Sequence, residues 1–324
     1  MKAIVCNKYG SPDVLELKEV KKPLPNENEV LVQVHTASLN FGNLVLLKGK
    51  PFLARFAFGL LRPKYSIPGG DIAGIVEGVG RNIKSFKVGD VVFGDLSVCG
   101  WGGFAEYVTV PEFALAKKPT NISFEEAAAT PMAGVTALQA LRDKGKIKSG
   151  QKVLIYGASG GVGTFAVQIA KSFGAEVTGV CSTRNLEILH SIGADHIIDY
   201  TKEDFTQNKE CYDLILGVNG SNSISAYKRA LKQNGNFVHV GGAESQLYQT
   251  LLIGPFISMT GNKKMSNLLQ RANQNDLNYI KELLENGTVK PIIDKTFKLN
   301  EVPRAFEYYQ QGYAQGKVII AVKS

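Results

Sequence analysis

Residues 154–171, LIYGASGGVGTFAVQIAK, run an apolar strand-like text through a glycine-rich turn into apolar residues at helical spacing. A strand that turns so tightly into a helix is the repeating unit of a parallel sheet covered by helices. The core of the stretch, Gly157-Ala158-Ser159-Gly160-Gly161-Val162-Gly163, fits two unrelated chemistries. As G-x-S-x-G it is an elbow that lifts Ser159 as a nucleophile, and Asp199 or Asp213 followed by His239 supplies an acid and a base in the required order. As A-x-G-x-x-G it is a dinucleotide fingerprint with Ala158 in place of the first glycine. Gly160 then lets backbone approach a pyrophosphate, Gly161 and Val162 open the helix that receives it, and Gly163 lets helix and sheet pack closely.

The hydrolase reading leaves Gly163 without a purpose and puts Ser159 inside the loop whose N–H groups would face a phosphate. The next strand separates the cofactors. It ends in Cys181-Ser182-Thr183-Arg184-Asn185, with no acid between Glu176 and Glu187. An acid there would hold the ribose 2′-OH of NAD, whereas small hydroxyls and an arginine suit a 2′-phosphate. NADP(H) is favoured, bound in part by Ser182, Thr183, Arg184 and Asn185.

Around this stretch the chain is organised in three parts. Up to about residue 120 it is written in short alternating runs, VLELKEV, VLVQVHTA, IAGIVEGV, DVVFG and FAEYVTV, broken by proline and glycine. Such text predicts a mostly β unit over residues 1–122. Ser123-Phe124-Glu125-Glu126 is an S-x-x-E capping box that opens a helix, and Pro131 starts another. From Gln151 strands and helices alternate, which predicts a doubly wound parallel sheet for residues 123–263. The text LIGPFISMTG (252–261) reads as a further strand. Residues 264–324 hold two helical texts and a last strand, KVIIAVK, expected to return to the first part. The fold class is α/β.

Four cysteines and four histidines are scattered among 324 residues without metal-ligand spacing, so no zinc site, C-x-x-C pair or disulfide framework is expected. A reducing compartment, the cytoplasm, fits, and the opening MKAIVCNKYG already reads as a strand rather than a leader. The formal charge is +8, but its lysines and arginines lack the interleaved aromatics of a nucleic-acid groove. The apolar run at residues 52–61, FLARFAFGLL, is too short to span a membrane and contains Arg55. As a helix it would expose an apolar stripe able to pack on the barrel, cover a hydrophobic cleft or touch a membrane surface.

Taken in order, ASLNFGN (37–43), IPGGDIAGIVEGVG (67–80), FKVGDVVFG (86–94), GGFAEYV (102–108), PMAGVTALQAL (131–141), GASGGVG (157–163), GADHIIDY (193–200) and GKVII (316–320) give the chain a specific likeness. It resembles, over its whole length, the medium-chain dehydrogenase/reductase superfamily in its zinc-free quinone oxidoreductase branch. The resemblance implies a Rossmann domain in the middle, a GroES-like β catalytic domain made from both chain ends, and the cofactor in the cleft. It implies hydride transfer from NADPH to a small hydrophobic quinone, or to the C=C bond of an α,β-unsaturated carbonyl, in a homodimer.

Zinc-dependent relatives carry Gly-His-Glu where this chain reads Gly69-Gly70-Asp71, and a cysteine ligand where it has Asn40. Matched motif to motif, Asn40 and Thr136 would approach the cofactor at its nicotinamide end, with Gly241, Gly242, Gly316 and Lys317 completing that side. Gly160, Gly161, Val162 and Gly163 would carry the pyrophosphate, and Tyr200 would join Ser182–Asn185 around the 2′-phosphate. Asn40 is also a candidate donor to the substrate carbonyl. The tyrosine proton donor of some relatives is missing here, neither Lys48 nor Tyr65 is assigned to the substrate, and Asn43 stands where an acid often follows the asparagine. A non-catalytic NADPH-binding protein is the alternative of a different class.

Overall fold

The computed structural model describes residues 1–207, 211–220 and 222–323, which form two units. Residues 136–270 carry a six-stranded sheet in which every neighbouring pair is parallel. Across the sheet the strands run His196–Asp199, Glu176–Cys181, Lys152–Tyr156, Tyr212–Gly217, Leu231–His239 and Lys264–Asn267. In order of sequence that is 3-2-1-4-5-6, the doubly wound arrangement of dinucleotide-binding sheets. Val153, Leu154 and Ile155 on the first strand have no exposed surface, because helices cover both faces of such a sheet. Behind it lies a core that includes Leu154, Val180, Ile215, Tyr227 and Phe237, the rings of the last two stacked at 4.5 Å.

Two expectations for this unit are corrected. LIGPFISMTG is helical over Gly254–Thr260, with Pro255 in its first turn, where a missing N–H costs nothing and the fixed φ favours the helix. The sixth strand is Lys264–Asn267 instead, so the unit closes at residue 270 rather than 263. It begins at Thr136 rather than at residue 123, because the capped helix Phe124–Ala128 packs on strands of the other unit. The capping box itself is formed: Ser123 Oγ accepts from the Glu126 N–H and Glu126 Oε2 from the Ser123 N–H.

Residues 1–135 and 271–324 form the second unit. Its long central strand, Glu29–Leu39, pairs antiparallel with Asp71–Val79, with Tyr107–Pro111 and with the last strand, Lys317–Ala321. The end of the chain thus returns to the first part as expected. Registers here decide which side chains meet. Ser38 faces Asp71 across one pair and Val318 faces Leu39 across another, which brings Lys317 level with Asn40. Beneath the sheet, Phe104 and Phe306 meet edge to face inside a core of buried valines and leucines.

The run at residues 52–61 is not one helix. A 3₁₀ turn at Phe52–Ala54 leads into the short helix Arg55–Phe58, which stops where Gly59 takes a φ of +112°. Only glycine adopts that angle freely, so the stripe is broken after one turn.

Candidate functional site

Four elements of the β unit converge on one carboxylate. Asp71 opens its strand with no exposed surface. Its Oδ2 accepts from Asn40 Nδ2 at 2.8 Å and from Ser38 Oγ at 3.1 Å, and Lys317 Nζ lies 3.4 Å away. Its Oδ1 accepts from the Met132 N–H at 3.0 Å, in the first turn of the helix Pro131–Leu138, where the helix dipole favours an anion. Lys317, 2% exposed, also donates to Asn40 Oδ1. Burial pushes the Asp71 carboxyl above its ordinary range and the Lys317 ammonium below its own, while the charge of each opposes the shift of the other.

Asn40 is therefore fixed at both ends of its amide. It also begins the helix Phe41–Lys48, its N–H donating to Asn43 Oδ1 at 2.8 Å. The amide oxygen of Asn43 thus serves the turn that starts this helix, and its Nδ2 is left buried without a partner. Gly316 precedes Lys317 at a φ of +83°. Of the residues expected at the reacting end, the structure brings Asn40 and Lys317 into hydrogen-bond contact and adds Ser38 and Asp71, which the sequence reading passed over.

In the parallel unit the fingerprint folds as a tight glycine turn from the strand Lys152–Tyr156 into the helix Gly161–Ser172. Gly157 takes a φ of +81°, so the tight turn that a first glycine provides falls one residue earlier than Ala158. A side chain at Gly163 would meet the Gly157 carbonyl oxygen at 2.2 Å, the close helix–strand approach that the last glycine serves. Gly160 caps the helix Gly161–Ser172, whose first N–H groups, those of Gly161 and Val162 included, have no partner within the helix. Asn185, 5% exposed, donates from Nδ2 to Ser159 Oγ at 2.8 Å and reaches Ser182 Oγ at 3.3 Å, tying the glycine turn to the next strand end.

At that end Asp199 lies opposite Cys181 across parallel strands, which brings Tyr200 beside residues 182–185. The Thr183 and Thr201 hydroxyls both donate to Asp199. Their hydrogen bonds, with Lys202 nearby, hold its carboxyl down at about 2. Tyr200 is half exposed and stacks on Tyr156, with ring centroids 6.3 Å apart. Thr136 lies on the helix Pro131–Leu138, and Gly241 and Gly242 follow the fifth strand, Gly242 bridging to Gly220.

A model of the alcohol dehydrogenase GroES-like domain matches residues 26–120, and a model described as zinc-binding dehydrogenase matches residues 192–320. The 2-methylene-furan-3-one reductase of Solanum lycopersicum is 37% identical over 99% of this chain and 79% of its own. The NADPH-dependent alkenal/one oxidoreductase, chloroplastic, of Arabidopsis thaliana is 33% identical over the same shares. The solved quinone oxidoreductase from Coxiella burnetii superposes with a TM-score of 0.88 at 31% identity, covering 100% of this chain and 99% of that one. The chain belongs to the medium-chain dehydrogenase/reductase superfamily, in its quinone oxidoreductase branch.

Membership raises the question of the zinc found elsewhere in the superfamily, and the residues present do not fit it. A side chain at Gly70, where zinc-dependent members carry histidine, would meet Met132 Cε at 2.9 Å and Trp101 Cζ3 at 3.2 Å. The same indole closes over Gly42, so carbon fills the space that ligands would need. Among the described residues no group of three histidine, cysteine or acidic side chains could hold a metal.

The serine hydrolase reading is corrected by the same geometry. Ser159 Oγ is bonded to Asn185, whereas His239 pairs through Nδ1 with Gln246 and Asp213 takes Lys152 N–H and Lys232. Tyr65 lines a surface cavity of about 520 Å³ with Ile67, Cys99, Trp101 and Tyr107, and Lys48 sits half-buried on its helix. Neither joins the Asp71 cluster. The one local sign of Asp71 was an acid at the head of an otherwise apolar strand, GGDIAGIV.

Proposed function

We propose that this member of the superfamily is an NADPH-dependent reductase, without zinc, of quinones or of the C=C bond of α,β-unsaturated carbonyls. The observation that carries the reading is the strand end at Ser182–Asn185, which bears a cation and hydroxyls and is tied by Asn185 to a glycine cradle. The names of the relatives, reductases and oxidoreductases of furanone, alkenal and quinone, support the substrate class.

NADPH would be held by Gly160–Gly163 at its pyrophosphate and by Ser182, Arg184 and Tyr200 at its 2′-phosphate, and when bound it supplies the hydride. Thr183 would contribute its N–H, since its hydroxyl proton goes to Asp199. Asn40, Thr136, Gly241, Gly242, Gly316 and Lys317 are assigned to the nicotinamide end. Hydride addition to an enone or quinone builds negative charge on an oxygen. Asn40 and Lys317, immobilised through Asp71, would present amide and ammonium dipoles to that charge without reorganising. Solvent completes protonation, since no side chain of the cluster is a free acid.

A cytoplasmic homodimer completes the proposal. Leu251, Leu252, Ile253, Phe256 and Met259 form an exposed apolar row that a second copy would bury, with no lysine or arginine between Lys232 and Lys263. No helix of the described residues is long and apolar enough to cross a membrane.

Purified protein mixed with NADPH and a panel of quinones and enones should consume the reduced-nicotinamide absorbance, and a chelator should leave the rate unchanged. Tight NADPH binding with no acceptor consumed would replace the enzyme by a binding protein.

A further inference from the structure

Residues 52–61 spend apolar surface on solvent although the segment is well held from beneath. Phe52, Leu53, Phe56 and Leu60 are each more than half exposed, and Leu61 is 94% exposed. Tyr9 donates its hydroxyl to the Gly59 carbonyl, and Arg55 Nε donates to the Gly49 carbonyl at 3.1 Å with its guanidinium over the Tyr9 ring. Phe58 points inward, edge-on to Trp101 at 6.0 Å. The outward row is thus a built surface and not a loose end.

Charge along the chain on either side of it has one sign. Between Glu29 and Asp71 the sequence has no acid, and within that window stand Lys48, Lys50, Arg55, Arg62 and Lys64. Lys50, Arg62 and Lys64 are exposed, and none has a carboxylate partner among the described residues. We propose that residues 52–61 dock this protein reversibly on the surface of an anionic lipid bilayer. Phenylalanine and leucine enter the headgroup boundary while the cations meet lipid phosphates. A second copy is disfavoured, because a two-fold interface sets a patch against itself and would oppose these cations to their own images. The docking stands independently of the reaction catalysed.

Flotation with vesicles of phosphatidylcholine, with and without phosphatidylglycerol, tests it. The wild-type chain should float with the phosphatidylglycerol vesicles, much less with phosphatidylcholine alone, and be released by salt. The variant Phe56→Ser/Leu61→Ser should lose about tenfold or more in vesicle affinity, and Arg62→Glu/Lys64→Glu should lose the preference for the anionic lipid. Both variants should keep the wild-type circular dichroism and thermal midpoint. No flotation of the wild-type chain, or undiminished flotation of Phe56→Ser/Leu61→Ser, overturns the proposal. So does a change of oligomeric state in that variant, which would give the face to a second copy. A raised KM for a water-soluble quinone with vesicle binding intact would give it to the substrate and likewise overturn the proposal.

Discussion

Asp71 and Asp199 each meet hydroxyls and a lysine at the end of a strand, yet their surroundings drive them in opposite directions. Asp71 has lost all contact with water, so desolvation dominates and its carboxyl is pushed up despite four donors. Asp199 lies beside an exposed lysine and exposed hydroxyls, so hydrogen bonding dominates and its carboxyl falls to about 2. The contrast teaches that the donor list of a carboxylate does not fix its role. Both members of the first pair are buried, whereas at the second only the carboxylate is, at 5% exposed, and its lysine and hydroxyl partners reach water, so it stays an anion.

The largest expected effect comes from removing the cation of the buried pair. Lys317→Met should cost about 3–5 kcal/mol in denaturant unfolding, because it leaves a carboxylate buried without its counter-charge. Asp71→Asn/Lys317→Met should recover most of that loss, whereas Lys202→Met, which removes an exposed cation 3.6 Å from Asp199, should leave the unfolding curve in place. Equal losses for Lys317→Met and Lys202→Met would break the comparison.

At the exposed strand end the expected effect is on cofactor choice. Arg184→Ala should lower the ratio of NADPH to NADH affinity by about tenfold or more, the weight of a charge-assisted hydrogen bond of roughly 1.5–3 kcal/mol. Fluorescence titration with both nucleotides measures it, and an unchanged ratio removes the 2′-phosphate from that strand end.

The smallest effect is on acid stability. The carboxyl of Asp199 is depressed on folding, so its contribution is present above the ordinary carboxylate value of 3.8 and is lost as pH falls through about 2. Asp199→Asn should lose that contribution at neutral pH and flatten the dependence of stability on pH inside that window. A parent whose stability is level from pH 4 to pH 2 would remove the hydrogen-bond account of Asp199.

The nucleotide unit was legible in the sequence because its signals are local. A strand, a glycine turn, a helix and the next strand end lie within residues 152–185, and the structure keeps that order. Periodicity failed where neighbours far along the chain decide the outcome. Text 252–261 looked like a strand until Pro255 placed it in a helix, and strand Lys264–Asn267 carries too few apolar residues to announce itself. At the β unit the family likeness supplied Asn40 and Lys317. Asp71 became visible only through bonds to Asn40, Met132 and Lys317, the last 246 residues away. No window of sequence contains such a cluster, since it exists only once antiparallel register has been set.

Trp101 closes over Gly42 and Gly70, meets Phe58 beneath the exposed segment, and is the only tryptophan in the chain. Being 4% exposed, its indole emits from an apolar setting against a background of tyrosine alone. The protein therefore has a built-in optical reporter, whose emission colour and quenching follow the Asp71 neighbourhood on one side and residues 52–61 on the other, without a label.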